Sequence, residues 1–271
     1  MDYITGYCWN AGSFGRKNQD SLSIQQGRSG RRKIAMALVC DGIGGLTEGE
    51  TASGYTAERL TAWFSEEAAM LASKRGALRR VRKSLLRECF RIDRELERYG
   101  KQKQISLGTT LTLLFAVDKK YLLLSLGDSR ACLLKRTRIK WLTRDDTGKD
   151  GSLTGCIGSF GWHPPEVRRG RLGRYTALLL CTDGFWRRLK PEELETLRLQ
   201  KGEALQAKLE EAGARLQKRG ERDNITAVCI RWGGGRSSIR NERKERFGPV
   251  KAVGKELRRC VRKGKDSDRK V

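Results

Sequence analysis

The sequence predicts an α+β domain, on three observations. Short apolar runs read as strands, two helical stretches stand between the third strand and the fourth, and several runs end in an acid. Ile34 to Cys40 is apolar with β-branched members, the pattern of a buried strand, and the next residue is Asp41. Gly42, Gly44 and Gly45 follow, where a missing Cβ lets the chain turn sharply and brings a carbonyl close to whatever the carboxylate holds. Glu48 and Glu50 then fall in a first helical turn, where acids suit the positive end of the dipole.

The other elements follow in order. Asp2 to Trp9 and Ser21 to Gln26 read as strands around the polar, Gly-containing connection Gly12 to Asp20. Glu48 to about Ala72 reads as helix, and a second helix runs from Gly76 to about Tyr99, with Leu78, Val81, Leu85, Cys89, Ile92 and Leu96 repeating every three or four residues. Leu111 to Val117, Tyr121 to Leu126, Ala131 to Lys135 and Ile139 to Leu142 form a β-meander, because the links Asp118-Lys119-Lys120 and Arg136-Thr137-Arg138 are tight. A loop from Thr143 to Gly155 and a Trp/His/Pro segment, Trp162 to Pro165, precede the strand Leu178 to Cys181. Pro191 starts a helix, Ala204 to Lys218 is another, and Ile225 to Trp232 is the last strand.

Gly233-Gly234-Gly235 marks a boundary between a domain at residues 1–232 and a tail at 233–271. Beyond Gly235 the chain has fourteen Lys and Arg against five Asp and Glu, with few apolar residues, the composition of a disordered tail. Val250 to Leu257 is its one apolar patch, able to form a helix on a partner.

The apolar run that ends in an acid recurs. Leu178 to Cys181 leads to Thr182-Asp183-Gly184, Tyr121 to Leu126 leads to Gly127-Asp128-Ser129-Arg130, and Asp223 stands just before the last strand. Carboxylates at the ends of neighbouring buried strands converge on one edge of a sheet, and like charges that close require a cation. Oxygen ligands without convergent His or Cys select Mg²⁺ or Mn²⁺ over zinc or copper.

Composition bounds the rest. The chain has 271 residues, 38% hydrophobic and 33% charged, with net charge +25 and a pI near 10.2, a field that attracts phosphate-bearing or acidic partners. The eight cysteines include no CxxC pair and five of them stand in apolar runs, as small buried hydrophobes in a reducing cytoplasm do. The N-terminus has no signal-like segment and no run reaches the roughly 18 apolar residues of a membrane span. A soluble cytoplasmic protein without membrane attachment is expected.

The short segments, taken together, resemble the metal-dependent protein phosphatases, the PPM or type 2C serine/threonine phosphatases, of bacterial type. The matching pieces are Arg16 to Ser21, Asp41-Gly42-Ile43-Gly44-Gly45 with Gly49-Glu50 and Ala52-Ser53, Gly108-Thr109-Thr110, and Gly127-Asp128-Ser129-Arg130. After them come Leu142-Thr143-Arg144-Asp145, Leu153-Thr154 with Ile157-Gly158, Thr182-Asp183-Gly184-Phe185-Trp186 and Arg222-Asp223-Asn224-Ile225-Thr226. The resemblance implies a central β-sandwich of two antiparallel sheets flanked by helices on both outer faces, in α-β-β-α layers.

It also implies a two-metal centre of Mn²⁺ or Mg²⁺. Asp41 would bridge both ions, the Gly42 carbonyl would bind one, Asp183 and Asp223 the other, and Asp20 would act directly or through water. Asp128 matches the acid that holds a weaker third ion in many bacterial members. Arg16 is the candidate clamp for the substrate phosphate. Two divalent cations roughly 3.5–4 Å apart neutralise a phosphate monoester and acidify a bridging water that attacks in line, without a phosphoenzyme. Phosphoserine and phosphothreonine proteins are the implied substrates, with a serine/threonine kinase as the opposing partner, and the chain is expected to act as a monomer.

Four departures matter. Ile43 replaces a possible His general acid, Gln19 stands where many members have Glu, the interval from Arg16 to Asp20 is one residue short, and the flap between Leu142-Thr143 and Leu153-Thr154 is nearly absent. The last predicts an open cleft and altered substrate selection. Blander readings stand beside the sharp ones: Asp128 as a turn ion pair with Arg130, Arg16 as an exposed charge, and His163, the only histidine, as a loop residue. Cys132 and Arg138 have cysteine-phosphatase spacing, but a strand and turn lie between them instead of a phosphate-cradling glycine loop. Two functions of other classes are a binding module without turnover and electrostatic nucleic-acid binding through the tail, whose lone aromatic, Phe247, argues against base stacking.

Overall fold

A computed structural model of the chain describes residues 3–13, 17–43, 48–136, 138–173, 176–197, 202–233 and 244–247. The N-terminal part contains β1 (Tyr3–Asn10), β2 (Ser21–Ser29) and β3 (Arg32–Cys40). Helix α1 (Gly49–Trp63) passes through one wider π-type turn at Phe64–Ala68 into α2 (Ala69–Ser73), and α3 (Ala77–Lys103) follows. Next come β4 (Leu111–Val117), β5 (Lys120–Leu126), β6 (Arg130–Lys135), β7 (Ile139–Trp141), β8 (Glu166–Arg171) and β9 (Thr176–Cys181). Helices α4 (Asp183–Trp186), α5 (Pro191–Leu197) and α6 (Gly202–Lys218) lead to β10 (Ile225–Trp232) and β11 (Lys244–Phe247).

The strands form two antiparallel sheets, one ordered β1-β10-β9-β6-β7 and the other β11-β2-β3-β4-β5-β8. Period-two alternation divides each central strand between two cores. In β3, Ile34, Met36, Leu38 and Cys40 pack with Leu60, Trp63, Leu85 and Ile92 of the α1 and α3 layer. Ala35, Ala37 and Val39 of the same strand face Leu178, Leu180, Val228 and Ile230 across the sandwich. A third cluster joins Cys132, Leu179, Cys181 and Cys229 to Leu194, Leu205, Leu209 and Leu216 of α5 and α6. Both faces of both sheets are therefore covered, which explains why these strands read as unbroken apolar runs. The four layers agree with the expected α-β-β-α sandwich.

Helix α3 buries Val81, Leu85, Cys89, Ile92 and Leu96, five of the six positions of the predicted stripe. The seven cysteines among the described residues are free and buried, as their apolar contexts imply. Strand β8 was not anticipated: Glu-Val-Arg-Arg-Gly-Arg lacks apolar alternation, yet it closes the sheet as an edge strand whose charges discourage further pairing. Gly170 on it is required by close packing, since a Cβ there would lie 2.3 Å from the Tyr121 ring. Of the predicted tail, residues 244–247 pair with β2, Lys244 opposite Gln25 and Phe247 opposite Leu22; residues 248–271, with the apolar patch at Val250 to Leu257, lie outside the described residues. No described helix is long and apolar enough to cross a membrane.

Candidate metal centre

The two sheets bring their strand ends together at one edge of the sandwich. Asp41 directly follows β3, Asp183 follows β9 after Thr182, and Asp223 is separated from β10 by Asn224 alone. The Asp41 carbonyl accepts hydrogen bonds from the Thr110 amide at 2.9 Å and the Thr109 hydroxyl at 2.8 Å. The Asp41 amide donates to Thr110 Oγ1 at 3.0 Å. The backbone that carries this carboxylate is thus fastened to the entry of β4.

Close backbone approach brings in the others. A Cβ on Gly184 would lie 2.3 Å from the Asn224 carbonyl oxygen, so only glycine lets the turn after Asp183 rest on the segment after Asp223. Asn224 extends the clamp: its Oδ1 accepts from the Gln19 amide at 2.7 Å and its Nδ2 donates to the Ala11 carbonyl at 3.1 Å. That fixes the connection before β2, and Asp20 with it. A Cβ on Gly42 would meet the Gly49 carbonyl oxygen at 2.3 Å, which makes this a second backbone-on-backbone contact between the Asp41 turn and the start of α1.

Asp20 is only 1% exposed. Thr182 Oγ1 donates to its Oδ2 at 3.0 Å, while its Oδ1 is buried with no hydrogen-bond partner. Burial, with added repulsion from Asp183 and Asp223, pushes its carboxyl up to about 8. Asp183, 7% exposed, also has a buried Oδ1 without a partner. Burial first, then Asp223 and Asp128, moves it up to about 6 against the pull of Arg187. Asp41 is raised well above the carboxylate range by burial and then by Asp20, Asp183, Asp128 and Asp223. Asp41 and Asp183 thus stand close enough for the charge of one to raise the proton affinity of the other.

Asp128 lies on the same side. Burial raises its carboxyl, and Asp145 and Asp223 add to this. The turn ion pair with Arg130 does not form: Arg130 makes a two-pronged pair with Asp145, at 2.9 and 2.7 Å, and lies 3.3 Å over the Trp186 ring. Asp128 is held instead through its carbonyl, which accepts from Trp186 Nε1 at 3.1 Å.

Buried carboxylate oxygens with no donor, on acids whose proton affinity is raised by one another, fit divalent cations: a hard cation would supply the missing partner and cancel the repulsion. The gathering is not a finished coordination shell, since among the described residues no three His, Cys, Asp or Glu side chains close on one point. Arg187 stands beside two of the acids. Its guanidinium pairs with Asp183 and reaches to 3.9 Å from Asp223 Oδ2.

A family model described as protein phosphatase 2C matches residues 13–227. The chain belongs to the protein phosphatase 2C family. Among its relatives, a serine/threonine phosphatase stp from Listeria welshimeri is 22% identical over 234 residues, covering 79% of this chain and 89% of that protein. The crystal structure of serine/threonine phosphatase Stp1 from Staphylococcus aureus has 20% identity and a TM-score of 0.75, covering 86% of this chain and 96% of that one. The catalytic domain of serine threonine protein phosphatase PstP, in complex with two manganese ions, has 20% identity and a TM-score of 0.65, covering 84% and 98%. Membership of protein phosphatase 2C makes this chain a metal-dependent serine/threonine protein phosphatase.

Within that family frame, Asp20, Asp41, Asp128, Asp183 and Asp223 are the acids the fold gathers. Arg16 lies outside the described residues, as do Gly44 and Gly45. The flap is reduced to a tight turn in which Thr147 bridges Leu153 and the Gly148 amide reaches the Ser152 carbonyl at 2.8 Å. Cys132 is fully buried and its thiol is pushed up to about 12 by burial, so it is no nucleophile. His163 is exposed, with Nδ1 facing the Gly161 carbonyl at 3.3 Å.

Sequence reasoning missed Thr182, Asn224 and Arg187. For Arg187 a signal existed, because it stands four residues after Asp183 at a helix start, a spacing that places a cation beside an acid.

Proposed function

We propose that Asp41, the Gly42 carbonyl, Asp183, Asp223 and Asp20 hold two Mn²⁺ or Mg²⁺ ions, with Asp128 able to take a third and weaker one. The single observation behind this reading is the pair of buried, partnerless carboxylate oxygens on Asp20 and Asp183 amid mutually repelling acids. Bound there, divalent cations supply neutralisation of a phosphate monoester and a water nucleophile at neutral pH. The substrates are phosphoserine and phosphothreonine on proteins, opposed to a cytoplasmic serine/threonine kinase.

The residues of the chain divide the remaining work. Thr109 and Thr110 hold Asp41 by its own backbone, so its carboxylate is set before any ligand arrives. Thr182 does the same for Asp20 with one hydroxyl hydrogen bond. Ile43, next to Gly42, has no proton to give, so no side chain there protonates the departing serine or threonine oxygen. Arg16 is the phosphate clamp proposed from the family pattern. The small turn at Thr147–Leu153 in place of a flap leaves the cleft open on that side and shifts substrate selection towards whatever the body of the domain contacts.

Hydrolysis of p-nitrophenyl phosphate tests the assignment. The wild type is expected to be active with Mn²⁺ and inactive in EDTA, and Asp183→Ala is expected to bind Mn²⁺ weakly by calorimetry and to lose turnover. Equal activity in EDTA, or an Asp183→Ala variant with wild-type metal affinity, overturns it.

A further inference from the structure

At the other end of the sandwich lies a cavity of about 610 Å³. The distance from the acids follows from β3, which opens with Arg32 at the cavity and closes one residue before Asp41; nine steps at about 3.3 Å make roughly 30 Å. Four separate elements send cations to the cavity. Arg32 comes from β3, Arg79 from α3, Lys119 and Lys120 from the β4–β5 turn, and Arg169 and Arg171 from β8. The one acid in the lining, Asp118, already accepts the Lys33 amide at 3.0 Å.

Arg32 donates to the Ala72 carbonyl at 2.8 Å. Among the described residues none of the other five cations, Arg79, Lys119, Lys120, Arg169 and Arg171, forms an ion pair, whereas cations elsewhere on the surface, such as Arg91, Arg94, Lys101 and Lys208, do. The first residues of α3, Ala77 and Leu78, also line the cavity. That helix of 27 residues has neither a side-chain cap at Gly76 nor an acid in its first turn, so its positive end adds to the same field. Like charges gathered in a concavity repel one another unless an anion enters.

We propose that this cavity binds an organic polyphosphate, a free molecule of the size and charge of a nucleoside triphosphate. Its volume lies within the range of small-ligand pockets, about 300–1,000 Å³. Leu78, Val117 and Trp232 provide an apolar wall for the organic part, and the arginines and lysines take the phosphates. A nucleic-acid strand fits less well, because stacking needs open aromatic faces and Trp232 is 8% exposed and set edge-on to Tyr3 at 5.2 Å. The ligand would bind while a phosphoprotein occupies the acid end, which gives the enzyme a second, independent input.

Calorimetric titration of the full chain with ATP in excess Mg²⁺ tests this, with Asp183→Asn included to separate the cavity from the acid cluster. Binding is expected in the wild type and unchanged in Asp183→Asn. Two charge-assisted contacts are removed in Lys120→Glu/Arg171→Glu, so affinity should fall by about tenfold or more. The equally charged control Lys140→Glu/Lys218→Glu, on exposed sites elsewhere, should lose less than about threefold. If the charge reversal unfolds the chain, Arg79→Gln/Lys119→Gln gives the same reading with a milder change. No binding in the wild type, equal losses in cavity and control variants, or binding lost in Asp183→Asn overturns the proposal. So does a cavity-dependent affinity for an oligonucleotide or a phosphopeptide without one for ATP.

Discussion

Removing divalent cations should make this fold pH-sensitive, with a sign set by which state binds more protons. An unfolded aspartate titrates near 3.8, whereas burial, with repulsion from Asp183 and Asp223, pushes Asp20 up to about 8. Between those values the folded chain keeps a proton that the unfolded chain has released, so stability falls as pH rises. The loss begins above the unfolded value and is complete once the pH passes the folded one. At about 1.4 kcal/mol per pH unit, ionising Asp20 in place costs on the order of 5 kcal/mol. Asp183, moved to about 6, titrates in the same window, but each shift contains the other's charge and the two do not add. For a domain of this size ~5 kcal/mol lowers Tm by roughly 10–20 °C.

Outside the acid cluster, where Asp41 and Asp128 are raised as well, little else titrates there. Ordinary carboxylates are ionised above about pH 5 and Lys and Arg stay charged to beyond about pH 9, while His163 is the only imidazole. Thermal unfolding in EDTA between about pH 5 and 9 should therefore show a falling Tm. Saturating Mn²⁺ should raise it most at the alkaline end, since a ligand that binds only the folded state stabilises it. Asp20→Asn in EDTA should melt with a smaller slope, the remainder coming from Asp41 and Asp183. A metal-free Tm that stays level or rises with pH, or an Asp20→Asn variant with the wild-type slope, refutes the reasoning.

Arg187→Ala removes the guanidinium that occupies Asp183 and Asp223; the pair is half-exposed and worth at most about 1 kcal/mol, so Mn²⁺ affinity by calorimetry should rise by roughly two- to fivefold. A fall in affinity would mean that Arg187 supports the site. Gly184→Ala places a methyl group 2.3 Å from the Asn224 carbonyl and must part Asp183 from Asp223, so a stability loss of about 1–3 kcal/mol should accompany a larger loss of metal binding. Wild-type Mn²⁺ affinity in that variant would show that the two turns move independently.

The legible part of the site was the part written into strand ends. Where an apolar run stops at a charge, as at Cys40-Asp41 and Cys181-Thr182-Asp183, the strand has left the core, and the acid is at an edge whatever the sheet order. The sheet order itself was not legible from the residues, because a run buried on both faces carries no mark of which face meets a helix and which meets the other sheet. The family pattern supplied the two-sheet architecture, and the strand order came from the structure. β8 escaped for the opposite reason: an edge strand of Arg and Glu is selected by hydrogen bonding to β5 and leaves no apolar trace. Partner choice was equally hidden, since the turn sequence offers Arg130 to Asp128, while tertiary packing gives it to Asp145 and the Trp186 ring.

A net charge of +25 does not by itself hold the acids together. The cationic cavity lies roughly 30 Å away along β3, about three Debye lengths at 0.1 M salt. Compensation at the acid edge must be local. Arg187, whose side chain is half-exposed, pairs with Asp183 and reaches to 3.9 Å from Asp223. Arg187 and a divalent cation are then alternative answers to the same charge deficit, and the first is the weaker because a single charge cannot satisfy the buried oxygens of both Asp20 and Asp183. Divalent cations bound as proposed would bring the charge that this guanidinium cannot deliver to both oxygens.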